Sequence, residues 1–130
     1  MIVDSSAIIA VLRNEPDAPA ISGILQGAPV CRISAVTYVE AAVVTDSNRN
    51  PVLSRRFDEV LRDSRIQIET VNARQAELAR NAYRDFGKGR HKAGLNFGDC
   101  FAYALAKELD EPLLFKGEDF RHTDVEIAKY

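Results

Sequence analysis

Four short apolar runs set the frame: Ile2-Val3, Val30-Cys31-Arg32-Ile33, Ile66-Gln67-Ile68 and Pro112-Leu113-Leu114-Phe115. Each is parted from the next by one or two helix-like stretches, with no hairpin-length turn between them. Parallel strands need long crossover connections, usually helical, whereas antiparallel neighbours can be joined by two residues. The pattern predicts an α/β fold in a single domain, residues 1–130. It is a short parallel sheet of four to five strands with helices on both faces, the fifth a short strand around Val125. In open sheets of this kind, ligands bind beyond the carboxyl ends of the strands, so chemistry is sought there.

The intervening helices carry their own signals. Ser5 or Ser6 can cap a helix through Ala7–Leu12, and Pro16 to Gln26 reads as a second, stopped at Gly27. Ser34 is placed to cap a helix whose apolar side is Val36, Val39, Val43 and Val44. Asn50-Pro51 opens a helix with the stripe Leu53, Phe57, Val60 and Leu61. Asn72 with Gln75 reads as a capping box for a helix bearing Ala76, Ala79, Tyr83 and Phe86 on one face, with Gly87 as its stop. A last helix runs from about Phe97 to Leu109.

Composition excludes several classes. Two cysteines, Cys31 and Cys100, are too few for a disulfide framework, and neither lies in a CxxC pair suited to zinc. No apolar run approaches a membrane span, and Asp4 stands where a signal peptide would be basic. These features point to no membrane and to a reducing cytoplasm. The net charge is −2, which by itself announces no polyanion partner.

Four carboxylates are placed for chemistry. Asp4 follows the first strand directly, and Asp119 follows the fourth across Lys116-Gly117-Glu118. Asp99 sits in the first turn of a helix entering from the carboxyl-end side. Glu40 is the one charge in the stretch Ala35 to Val44. Singly, each has an ordinary reading as a cap, a dipole partner or a turn residue. Together on one rim they would repel and partly neutralise. A divalent cation removes that conflict, and an all-oxygen acidic site suits Mg²⁺ or Mn²⁺. Ser6 and Asn96 stand beside two of the acids and offer further oxygens, to the ion or to water held on it.

Charge is also segregated. Arg74 to Lys92 holds six positive and two negative residues, a local net of +4, whereas Glu108 to Glu126 has a local net of −5. In the loop Gly87 to Lys92, the side chains Lys88, Arg90, His91 and Lys92 with their interleaved glycines suit contact with a phosphate backbone of a polyanion.

These residues resemble the PIN-domain ribonucleases, and among them the VapC-type toxins of bacterial toxin–antitoxin pairs. Ile2-Val3-Asp4-Ser5-Ser6-Ala7, Ile33–Ala41 with Glu40 near its end, Leu95–Ala106 around Asp99, and Pro112–Phe120 ending near Asp119 are similar to the four motifs of that family in order and spacing. The resemblance covers nearly the whole chain. It implies Mg²⁺- or Mn²⁺-dependent RNA hydrolysis by an activated water attacking phosphorus in line, with no protein nucleophile. Asp4 and Asp99 would be the core metal ligands, and Glu40 and Asp119 would bind directly or through water. Glu118 is a departure at the position before the fourth acid, which makes it a rival to Asp119; Asp124 is read as structural. The resemblance further implies a homodimer and neutralisation by a cognate VapB-type antitoxin whose tail places a basic side chain among the acids.

Two other readings compete. A receiver-type phospho-acceptor also gathers carboxylates at strand ends, but it needs an acid pair after the first strand and an Asp ending the third; only Lys116 favours it. A non-catalytic RNA- or protein-binding module is the other.

Overall fold

The computed structural model describes residues 1–130. Its element order is β1 (Ile2–Val3), α1 (Ser5–Leu12), α2 (Ala18–Gly27), β2 (Cys31–Ser34), α3 (Ala35–Asp46), α4 (Pro51–Asp63), β3 (Ile66–Glu69), α5 (Ala73–Phe86), α6 (Phe97–Leu109), β4 (Leu113–Leu114) and a 3-10 turn, Asp119–His122. The four strands form one sheet in the order β3-β2-β1-β4, every pair parallel. A fifth strand around Val125 does not form. One bridge joins Leu113 to Ile127 two residues on, too little for a strand.

Strand alternation splits the interior in two. Ile2 and Leu113 face one side and join a core with Ala79, Ala82, Tyr103, Leu105 and Phe115, beneath α5 and α6. Val3, Leu114, Ile33 and Cys31 face the other and pack with Ile8, Ile21, Leu25, Ala41 and Phe57, beneath α1 to α4. Adjacent strand residues thus anchor opposite layers, because side chains of a strand point alternately to its two faces. Arg32 in β2 binds Glu69 of β3 and Glu111 ahead of β4, and Glu111 also takes the N-terminal ammonium of Met1. The ion cluster ties three strands and the β4 approach together.

Several local expectations are corrected. The cap of α1 is Asp4, whose side chain accepts the Ser6 N–H; Ser5 and Ser6 lie within the helix. Ser34 occupies the cap position of α3 without a side-chain cap bond, and the buried face of that helix is Thr37, Ala41 and Thr45. Val39 and Val43 are more than half exposed. Thr37 and Thr45 match valine in size, and Thr45 Oγ1 satisfies itself by donating to Ala41 O, so this face can be buried against α1 and α4. Asn72 caps α5 by accepting from Gln75, but the Gln75 amide turns to Thr70 O and Glu108, so the box is not reciprocal. The reciprocal box is at α6: Asn96 accepts from the Asp99 N–H while Asp99 accepts from that of Asn96. Gly87 ends α5 in an extended conformation. It is glycine for space, since a Cβ there would overlap Tyr83 O and sit 2.6 Å from Tyr83 Cδ2.

Candidate active site

Asp4 lies at the carboxyl end of β1, where its backbone N–H still bonds to Leu114 O of β4. Its carboxylate is almost wholly buried. Oδ2 accepts two donors, the Ser6 N–H at 3.0 Å and the Ser6 hydroxyl at 2.6 Å, whereas Oδ1 is buried with no partner. Burial pushes its pKa up, the Ser6 bonds draw it down, and Glu40 pushes it up again.

Asp99 stands in the first turn of α6, almost fully buried. Oδ2 accepts the Asn96 N–H at 3.0 Å. Its pKa is raised to about 7, first by burial and then by the negative charges of Asp4, Glu40 and Asp119, against the lowering effect of the Asn96 bond. That set of neighbours places all four predicted acids around one region.

Glu40 reaches this region from α3. The Ser5 hydroxyl donates to its Oε1 at 2.7 Å. Across from it lies Gly98, immediately before Asp99. A side chain at 98 would overlap the Glu40 carboxylate, with even Oε1 only 2.8 Å from the new carbon. Glycine disfavours a helix, so its place in the first turn of α6 is explained by this close approach.

Asp119 opens the 3-10 turn and is exposed, as is Glu118. Arg121 Nε binds Glu118 at 3.4 Å. Glu118 thus has a cationic partner, while Asp119 is the one of the two that acts on Asp99. Asp124 receives Tyr103 Oη at 2.6 Å and Lys107 Nζ at 3.2 Å, holding the end of the chain against α6. Asn96 Oδ1 is committed to the helix cap. Ser6 Oγ is likewise fully engaged, donating to Asp4 and accepting the Lys116 N–H at 3.0 Å.

The basic loop is anchored beside this end of α6. The Lys88 N–H bonds to Leu95 O and the Leu95 N–H to Phe86 O, which closes the loop one residue before Asn96. His91 is half-buried: its Nδ1 accepts the Ala93 N–H and its ring meets Phe86 edge-on. Arg90 stacks over Tyr83 at 5.3 Å, and Lys88 and Lys92 point to solvent.

The donor set is all carboxylate oxygen, and one such oxygen, Asp4 Oδ1, is buried without a partner. Leaving a buried charged group unsatisfied is costly, and a hard divalent cation supplies what is missing. No three of the Asp, Glu, His and Cys side chains converge as a ligand cluster, so sharing one ion would require these side chains to move closer. Three contributors escaped sequence reasoning. Ser5 was weighed only as a cap. Gly98 carried a signal, a glycine where a helix begins. The backbone N–H of Lys116 carried none.

The PIN domain family matches residues 1–126. The chain belongs to that family. Among relatives, it is 56% identical over 129 residues to Ribonuclease VapC28 of Mycobacterium tuberculosis, covering 98% of this chain and 97% of that protein. It is 49% identical over 125 residues to Ribonuclease VapC of Mycolicibacterium smegmatis, covering 96% and 97%. Among solved structures, M. tuberculosis VapC20, a sarcin-ricin loop cleaving toxin, superposes with a TM-score of 0.74 at 14% identity over 99% of this chain and 98% of that one. A toxin–antitoxin complex from Klebsiella pneumoniae does so with a TM-score of 0.73 at 17% identity, over 99% and 97%. At these identities the structural likeness carries the PIN fold. The close sequence relatives make this a VapC-type member of the family.

Proposed function

We propose that this chain is a metal-dependent endoribonuclease, the toxin of a toxin–antitoxin pair, hydrolysing RNA phosphodiester bonds. The observation that carries the reading is the pairing of two buried carboxylates, Asp4 and Asp99, at the strand ends, one with an oxygen left without a partner, in a chain 56% identical to a named ribonuclease. Asp4, Glu40, Asp99 and Asp119 would hold Mg²⁺ or Mn²⁺. When bound, the ion supplies Lewis acidity and a water of lowered pKa. Ser6 fixes Asp4 by occupying Oδ2, so that Oδ1 is the oxygen it presents. Ser5 and the space left by Gly98 hold Glu40 toward Asp99. Asp119 is exposed on its turn and open to a substrate from solvent. Lys88, Arg90 and Lys92 offer cations to the RNA backbone, with His91 bracing their loop from within.

The family resemblance implies a metal-activated water as nucleophile in place of the ribose 2′-hydroxyl. Products are therefore expected to carry linear phosphate ends and no 2′,3′-cyclic phosphate. Cleavage of total RNA by the purified, antitoxin-free protein should require Mg²⁺ or Mn²⁺ and stop with chelator. Cleavage that survives chelation, or cyclic ends, would contradict this. The phospho-acceptor reading finds no support at β3, whose terminal Glu69 is paired with Arg32.

The VapC relatives and the toxin–antitoxin neighbour of the same fold support a VapB-type antitoxin as partner. The family resemblance implies a homodimer, and a cytoplasmic home is the reading the sequence suggests. No helix is long and apolar enough to cross a membrane, and both cysteines are free and buried.

A further inference from the structure

We propose that Lys116 is a positioning residue that acts through Ser6 to aim the free oxygen of Asp4 into the carboxylate cluster. The proposal rests on the metal-dependent reading above and assigns part of that site's order to a residue outside it.

A serine hydroxyl has one proton to give and lone pairs to accept with. The Lys116 N–H at the end of β4 donates to Ser6 Oγ at 3.0 Å. Ser6 Oγ, with that lone pair taken, gives its proton to Asp4 Oδ2 at 2.6 Å, a short charge-assisted bond. The Ser6 N–H goes to the same oxygen. Both donors on Oδ2 leave Oδ1 buried and open. The rotation of the Asp4 carboxylate therefore depends on where the Lys116 N–H sits.

Buried Phe115 holds that backbone on the strand side, and the loop side needs an anchor of its own. The next residue, Gly117, has φ +117, a conformation reserved for glycine, and Gly117, Glu118 and Asp119 are exposed. The anchor is the Lys116 side chain. Its ammonium binds Glu15 and, at 2.8 Å, Asp17 Oδ1, both in the connection between α1 and α2. Asp17 Oδ2 in turn accepts the Tyr130 hydroxyl at 3.2 Å. With these two carboxylates the lysine is already committed as a cation, and its pKa is raised by both.

The sign of one substitution separates positioning from simple charge. Lys116 is a cation near a cation site. If it acted by field alone, its removal would tighten metal binding. If it acts by holding Ser6, its removal weakens binding. The test is Mn²⁺ uptake by the whole, RNA-free protein, read from the loss of the free-ion paramagnetic resonance signal. Lys116→Met is expected to weaken Mn²⁺ binding about tenfold, in the range seen when partners that orient metal ligands are removed. Lys116→Arg keeps the clamp and should stay near wild type. Ser6→Ala should weaken binding comparably, and the double variant Lys116→Met/Ser6→Ala no further than Ser6→Ala, since both act on one bond chain. Lys116→Gln substitutes if the methionine variant does not fold. Unchanged or tighter binding in Lys116→Met or Lys116→Gln, or losses that add, would overturn the proposal. A wild type that takes up no Mn²⁺ would overturn the metal reading itself, and this role with it.

Discussion

Asp99 gathers the electrostatic cost of the site into one residue. Its carboxyl is buried and faces three other acids, which raises its pKa from 3.8 to about 7. The folded state then holds this proton more tightly than the unfolded chain does. The stability so conferred is full below about pH 4 and is lost as pH rises through 7. Asp99→Asn has no such loss, and its amide oxygen can still accept the Asn96 N–H. The metal-free variant is therefore expected to be more stable than the metal-free wild type at pH 8, by up to about 4 kcal/mol, with the gap closing toward pH 4. Thermal melts across that range check this; parallel pH profiles would contradict it. Residues like Asp99 and Asp4 were legible in the sequence because an acid directly after an apolar run, or at a helix start, is placed by topology alone. The role of Lys116 was not, because nothing in the sequence marks that its backbone N–H reaches Ser6 or that its ammonium reaches Glu15 and Asp17.

At the scale of elements, the site depends on how near α3 can come to α6. Gly98 sets that distance. Gly98→Ala should raise the helical propensity of α6 by about 0.5–1 kcal/mol, yet the new methyl must displace the Glu40 carboxylate. The expected outcome is a melting temperature equal to or above wild type with cleavage reduced about tenfold or more. Wild-type cleavage in a well-folded Gly98→Ala protein would show that Glu40 need not stand there. Helix existence was readable from caps and periodicity, as with α4 and α5. The facing of α3 was not. Its valines suggested an apolar stripe, but the buried face is Thr37, Ala41 and Thr45. Threonine matches valine in size, so side-chain volume does not mark the inward face, and hydropathy marks the wrong one; the tertiary arrangement of α1, α3 and α4 decides it.

At the scale of the molecule, topology explains why distant acids meet. Parallel strands order β1 and β4 as neighbours, so Asp4 and the Asp119 turn emerge at the same end, and α6 begins where those strands finish. This much followed from strands separated by helices. The end of the chain did not, since a single bridge at Ile127 and the contacts of Asp124 with Tyr103 and Lys107 are set by tertiary packing. The central claim is that the carboxylate cluster performs the chemistry while other surfaces hold the RNA. It is met most directly by single-turnover cleavage of one RNA substrate in Mn²⁺, by wild type and Asp99→Asn, at equal occupancy measured by filter binding. Bound RNA that the wild type cuts and the variant leaves intact is the expected result. Equal cleavage by the two would contradict it.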